Sequence, residues 1–169
     1  MNPKTFEIEG KGLTSILVSG SINKSHFLDK LIASNQQKKL ILFQSDHAFY
    51  ECVRISMDIA TDFKRYIDWF EKYDIFVIDF FAEWANSTET IEFIRYIKTQ
   101  EKYKHKTFVM LFTPKDTTGR DEITLSRFTK FKDIIEKKSN EIYIVNRIDI
   151  QEYKLQDKNG NILSTWKEN

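Results

Sequence analysis

At 169 residues, 41% of them hydrophobic and 30% charged, the chain has the expected size and composition of one compact domain, which argues against a multidomain machine. Fourteen Phe, seven Tyr and three Trp supply bulky core material, and five Gly with two Pro are too few for a disordered, collagenous or linker-rich chain. Lys and Arg total 26 against 25 Asp and Glu, a net charge of +1, so no global field draws the protein to nucleic acid or membrane.

The segment Met1 to Glu7 has no apolar signal core, and no run approaches the roughly 18 apolar residues of a membrane span. Cys52 is the one cysteine, which excludes an internal disulfide framework and fits a reducing interior, so the expected location is the cytoplasm. Leu13 to Ser19 is a short apolar run ended by Gly20 and reads as a buried strand. A helix is predicted from about Lys24, with Phe27, Leu28, Leu31 and Ile32 at three- and four-residue steps until Asn35 to Lys38 breaks the pattern. Lys39 to Phe43 reads as a second strand.

From Asp46 to Tyr73 the apolar positions Phe49, Val53, Met57, Ala60, Phe63, Ile67 and Phe70 keep to one helical face, and a mostly helical segment is predicted. Asp74 to Phe81 is a near-continuous apolar run with Asp79 toward its end, the composition of a strand buried on both faces. Asn86 to Glu89 supplies capping residues for a helix reaching about Lys102. Thr107 to Phe112 repeats the strand pattern up to Pro114, Asp121 to Lys138 reads as helix, and Glu141 to Val145 as a fifth strand. Tyr153 to Gln156 and Ile162 to Trp166 alternate around Lys158-Asn159-Gly160, a hairpin signal. Together these predict an α/β domain over 1–169: a parallel sheet of about five strands with helices on both faces (core 13–148), closed by a C-terminal β-hairpin at 151–167.

Open parallel sheets bind ligands beyond the carboxyl ends of their strands, so the residues there are the first candidates. A phosphate-binding loop has two glycines, then Lys and Ser or Thr, so that backbone amides and an ammonium surround the phosphates while the hydroxyl holds magnesium. Here Gly20 precedes Lys24-Ser25 in a strand-to-helix context, but three residues separate Gly20 from Lys24 where that motif has five, and Asn23 stands in place of the second glycine. The competing reading is an ordinary turn with Lys24 solvated. Asp79 has the form of the acid that orients magnesium and its waters in phosphoryl transfer, against a reading as a cap of the next segment.

The order of these pieces resembles the RecA-like P-loop ATPases, the group that includes hexameric replicative helicases, over most of the chain. Leu42 to Asp46, with Arg54 eight residues on, is similar to the family stretch in which a strand ends at a catalytic Glu and a helix carries an Arg. Ile75 to Asp79 is similar to the Walker B strand and Phe108 to Thr113 to the sensor strand that follows it. The resemblance implies Asp46 and Asp79 as catalytic carboxylates, and Gly20, Lys24, Ser25 and Thr113 as nucleotide-binding residues. ATP and Mg2+ are the implied cofactors, the metal held by Ser25 and Asp79. It also implies self-association through an Arg in trans, with Arg120, Arg127 and Arg147 as candidates. The implied sheet order places 39–45 at one edge, then 74–81, 106–113, 13–19 and 141–147, all parallel. The short loop and the Asp in place of Glu at 46 point to weak or absent ATPase activity.

Charge is segregated: Asp46 to Glu92 holds eleven acids and four bases, and Arg95 to Lys138 twelve bases and six acids. Lys98, Lys102, Lys115, Arg120, Arg127, Lys130 and Lys132, with Arg95, Lys104 and Lys106 beside them, are candidate phosphate contacts for DNA, to which Phe128 or Phe131 would add stacking; a solvated helix face is the alternative. His26, His47 and His105 lack ligand-like spacing, and Cys52 falls on an apolar helix face. Two functions follow from these residues. One is a RecA-like nucleotide-binding protein acting on DNA in replication or transfer of a mobile element, and the other is a non-enzymatic scaffold that binds nucleic acid or a protein partner.

Overall fold

A computed structural model describes residues 1–18, 24–44, 54–56, 71–80, 94–112 and 133–168; at 24, 43–44, 54–56, 79–80 and 112 the description covers the backbone alone. Eight strands form one sheet: β1 (Gly12–Val18), β2 (Leu40–Gln44), β3 (Arg54–Ser56), β4 (Ile75–Phe80), β5 (Thr107–Phe112), β6 (Glu141–Asp149), β7 (Glu152–Asp157) and β8 (Ile162–Lys167), in the order β3-β2-β4-β5-β1-β6-β7-β8. The first six run parallel, and β6 with β7 and β7 with β8 pair antiparallel. Within it, β2-β4-β5-β1-β6 is the parallel order that the resemblance implied, except that β2 does not stand at the edge, since β3 pairs outside it.

Two expectations are corrected. The sheet has eight strands rather than about five, and it is mixed, because the C-terminal hairpin continues it: β7 pairs with β6 from Tyr143↔Asp157 to Asp149↔Glu152. Within the segment predicted as mostly helical, Arg54–Ser56 is a strand that pairs with Leu42–Gln44. The helical period runs through Val53 and Met57, but β2 leaves an open edge whose backbone groups a short run can satisfy, and pairing there overrides the local pattern. Arg54 therefore opens a strand and does not sit on a helix.

Helices cover both faces. Phe27, Leu28 and Leu31 of α1 (Lys24–Ser34) join Ile16 and Val18 of β1, Val77 of β4, Val109 and Leu111 of β5, Val145 of β6 and Leu155 of β7 in one buried cluster. Strand alternation sends the neighbouring residues to the other face. There Phe76 stacks on Phe108 at 5.2 Å, Phe108 meets Tyr103 of the 3-10 turn Glu101–Tyr103, and Tyr103 meets Tyr96 of the helical residues 94–99. Ser15 Oγ bonds Ser139 Oγ at 2.7 Å just past the helical residues 133–138.

The N-terminal arm is part of the core, which the sequence pattern does not signal. Met1, Phe6 and Ile8 are buried in the α1 cluster. Asn35, 2% exposed, fixes the arm: its Oδ1 accepts the Ile8 N–H at 2.8 Å, and its Nδ2 donates to the carbonyls of Phe6 and Leu31. Thus the residue that ends α1 also satisfies the backbone of the arm laid across it, as buried polar groups require.

Candidate functional site

Because β1, β4 and β5 are parallel, their carboxyl ends lie at one edge. Leu111 of β5 pairs with Asp79 on one side and Ile16 on the other. Asp79 is therefore level with Ile16, about 10 Å away across two strand spacings. The chain leaves β1 at Val18, two residues past that level, and returns as α1 at Lys24. The start of α1 and the end of β4 thus share the C-terminal edge of the sheet, with β5 between them.

Lys24 and Ser25 stand in the first turn of α1, which contains no acidic residue. A helix start carries partial positive charge from unsatisfied amides, and a lysine in its first turn adds to it. That end of α1 is electrostatically suited to an anion. The Ser25 hydroxyl and the Asp79 carboxylate are hard oxygen donors of the class magnesium takes, so residue chemistry fits that metal. Asp46, Gly20 and Thr113, along with Lys115, Arg120, Arg127, Lys130 and Lys132, lie outside the described residues, and so do His47, Cys52, Phe128 and Phe131.

The described part of the basic segment lies elsewhere. The stretch 94–99 leads through the 3-10 turn into Thr107, and 133–138 leads into Glu141, so Lys98, Lys102 and Lys138 gather where β5 and β6 begin, at the opposite edge. Burial, then the nearby Lys138 ammonium, lowers the Lys98 pKa below its ordinary value. Two like charges from different helical stretches thus lie near enough to repel. Lys102 lies over the Tyr103 ring at 5.1 Å from its centroid, and Lys104 pairs with Glu101. Lys106 is withdrawn from the set expected to meet phosphates: its ammonium donates to the Tyr73 carbonyl at 2.7 Å and to that of Glu71, tying 71–73 to the start of β5.

Sequence spacing assigns His26 no role. Its ring, one residue after Ser25, lies 5.9 Å from that of Tyr153 on β7. Spacing along the chain cannot reveal this contact, since 126 residues separate His26 from Tyr153.

No helix among the described residues is long and apolar enough to cross a membrane. No protein-family model matches the chain, and no curated protein is significantly similar to it. Among solved structures, a crystal structure of the DnaC helicase loader is similar at 17% identity and a TM-score of 0.40, over 86% of this chain and 82% of that one.

Proposed function

We propose that the chain is a single-domain, RecA-like nucleotide-fold protein with a shortened phosphate loop, acting on DNA in replication or transfer of a mobile element and hydrolysing ATP slowly or not at all. The observation that carries this reading is the parallel order β2-β4-β5-β1-β6, with β5 between the strand that feeds Lys24-Ser25 and the strand that carries Asp79. That order brings a cationic helix start and a strand-end carboxylate to one edge, the arrangement that phosphates and a hard cation need.

In this reading Lys24 and Ser25 meet phosphate oxygens, Ser25 and Asp79 hold magnesium, Asp46 stands in the general-base position and Thr113 touches the nucleotide near the end of β5. Loop length sets the limit. Phosphate affinity in such sites comes from several backbone amides converging on one anion, and a loop two residues shorter has fewer to offer. Without a closed cradle no γ-phosphate is held in line with water, and positioning is the main source of catalysis in phosphoryl transfer. Titration of the full chain with magnesium-ATP, alongside a Lys24→Ala variant, tests the reading. Weak binding that Lys24→Ala removes supports it, and binding untouched by Lys24→Ala removes the start of α1 from the site.

The second reading, a non-enzymatic nucleic-acid or protein-binding module, is favoured by one specific observation: Lys98, Lys102 and Lys138 stand where β5 and β6 begin, at the opposite edge, near enough for the Lys138 ammonium to lower the Lys98 pKa. An anion there relieves like-charge repulsion with no nucleotide involved. Salt-dependent binding of single-stranded DNA that ignores magnesium-ATP and is weakened in Lys98→Glu supports this reading over the first.

A further inference from the structure

The C-terminal hairpin grips the first turn of α1. Tyr153 of β7 and Trp166 of β8 are register partners, and their rings stack at 5.7 Å. Trp166 lies 6.0 Å from Phe27 and 5.2 Å from Phe6, and Tyr153 meets His26 at 5.9 Å. Tyr153 is 4% exposed, and its hydroxyl donates to Glu168 Oε2 at 2.5 Å, which fixes the ring from the far end of β8. The aromatic contacts thus reach consecutive residues of α1, His26 and Phe27, directly after Lys24 and Ser25.

Position in the sheet gives these contacts consequence. β6 lies beside β1 on the side away from β5, so the candidate anion site has β5 and β4 on one flank and the β6-β7-β8 extension on the other. The aromatic side chains of the extension reach the face on which α1 packs, because Leu155 of β7 shares the α1 cluster. A short helix end is its least constrained part, with amides lacking intrahelical partners, so side-chain contacts there decide its position.

We propose that Tyr153 is a positioning residue for the first turn of α1: acting through His26, it sets where Lys24 and Ser25 meet an anion, and so couples the C-terminal hairpin to that site. This rests on the reading that phosphates meet the start of α1. The hairpin contributes no group to the anion itself. It holds the turn in the orientation the anion needs, and anion binding in return tightens the stack that includes Trp166.

The test has a ligand-free arm and a ligand arm, both on the full chain. In the first, amide hydrogen exchange is compared for the parent, Tyr153→Leu and Tyr153→Phe. An aromatic pair of this kind changes a local equilibrium by about two- to tenfold. Tyr153→Leu is expected to speed exchange at 28–30, the first amides bonded within α1, by such a factor, with 31–34 and β5 unchanged, and Tyr153→Phe, which keeps the ring, to restore it. Unchanged exchange at 28–30, or a loss of protection spread evenly over α1 and β5, overturns the proposal. Should Tyr153→Leu not fold, His26→Ala removes the contact from the α1 side and carries the same expectation.

In the second arm a Trp69→Phe, Trp84→Phe chain leaves Trp166 as the sole tryptophan, and magnesium-ATP is titrated while its emission and displacement of a fluorescent nucleotide are followed. Binding that shifts Trp166 emission, weakens by about two- to tenfold in Tyr153→Leu and recovers in Tyr153→Phe supports the coupling. Equal binding by parent and Tyr153→Leu overturns the coupling and leaves the nucleotide reading intact. No binding by the parent overturns the nucleotide reading, and with it the anion half of the proposal, whatever the exchange pattern shows.

Discussion

Asp79 of β4 and Ile16 of β1 stand at one level of the sheet, each the register partner of Leu111 on the strand between them. In the proposed reading, the start of α1, which follows β1, and Asp79 of β4 would meet one nucleotide from opposite sides of β5. Magnesium, which keeps part of its hydration shell, would reach Asp79 directly or through its waters in that reading. With three residues rather than five between Gly20 and Lys24, the loop would offer fewer amides to that anion.

Turnover is therefore expected to stay near background with magnesium and single-stranded DNA. Lys24→Ala and Asp79→Asn should lower weak nucleotide binding while leaving that background rate unchanged. Phosphate release in a steady-state assay checks this. Robust hydrolysis abolished by Lys24→Ala would mean that the short loop forms a working cradle.

At the opposite edge, Lys98→Glu combined with Lys102→Glu is expected to weaken single-stranded DNA binding and flatten its salt dependence. For every phosphate no longer neutralised, the slope of log affinity against log salt falls by about 0.7 on a single strand. Fluorescence anisotropy at several salt concentrations measures it. An unchanged slope removes this edge from nucleic-acid recognition.

Gly12 opens β1 with φ of +101°, and a Cβ built there would lie 2.5 Å from Asn140 Oδ1. That oxygen is already engaged, accepting the Leu13 N–H at 3.0 Å, so it cannot yield without breaking that bond. Gly12→Ala combines a strained backbone with this clash and is expected to cost about 1–3 kcal/mol, a Tm drop of several degrees. Thermal unfolding followed by circular dichroism reads the shift.

Much of the sheet is legible in the sequence because strands buried on both faces are written as continuous apolar runs, and Ile75 to Phe80 and Thr107 to Phe112 stand at those positions. β3 is not legible: Arg54-Ile55-Ser56 has no apolar run, and its strand character comes from the open edge of β2. The arm is hidden for a related reason. Phe6 and Ile8 look like isolated apolar residues in a polar stretch, and their burial depends on Asn35, nearly thirty residues away. At the candidate site, Lys24, Ser25 and Asp79 are marked by residue type and strand ends, whereas His26 and Tyr153 meet only through tertiary packing. The Lys106 ammonium likewise reads as one more surface charge, because a bond to a backbone carbonyl leaves no trace in composition.

Asn35→Ala removes one acceptor and two donors at a buried position and leaves the Ile8 N–H and the Phe6 carbonyl without that partner. A buried group stripped of its partner costs about 1–3 kcal/mol, so destabilisation by roughly 3 kcal/mol is expected, with the arm the first segment to be released. Urea denaturation gives the stability change, and limited proteolysis near Lys11 reports release of the arm. A variant as stable as the parent and equally resistant to cleavage would mean that Asn35 does not hold the arm.

Alkaline pH gives a separate test of the packing where the arm meets β6. Tyr143 is 8% exposed, and burial, then the Glu141 carboxylate, raises its phenol to about 12 from the ordinary value of 10.0. Its hydroxyl donates to the Met1 carbonyl at 3.3 Å, while the Met1 ammonium pairs with Glu141 at 2.7 Å. The folded chain therefore holds the phenolic proton more tightly than the unfolded chain does. Below about pH 10 both states are protonated and the contribution to stability is fully present. As pH rises through 10 toward 12 the unfolded state loses its proton first, the folded state binds more protons, and stability falls. Glu141 is 40% exposed and solvent screens it, so the fall is expected to be on the order of 1 kcal/mol rather than the full linkage value. Tyr153 is shifted in the same direction, chiefly by its hydrogen bond to Glu168, so a Tyr153→Phe background isolates the effect. Denaturant midpoints at pH 8 and pH 11 should differ less in Tyr143→Phe, Tyr153→Phe than in Tyr153→Phe alone. An equal fall in both chains would place the alkaline destabilisation on other groups and leave Tyr143 without a part in it.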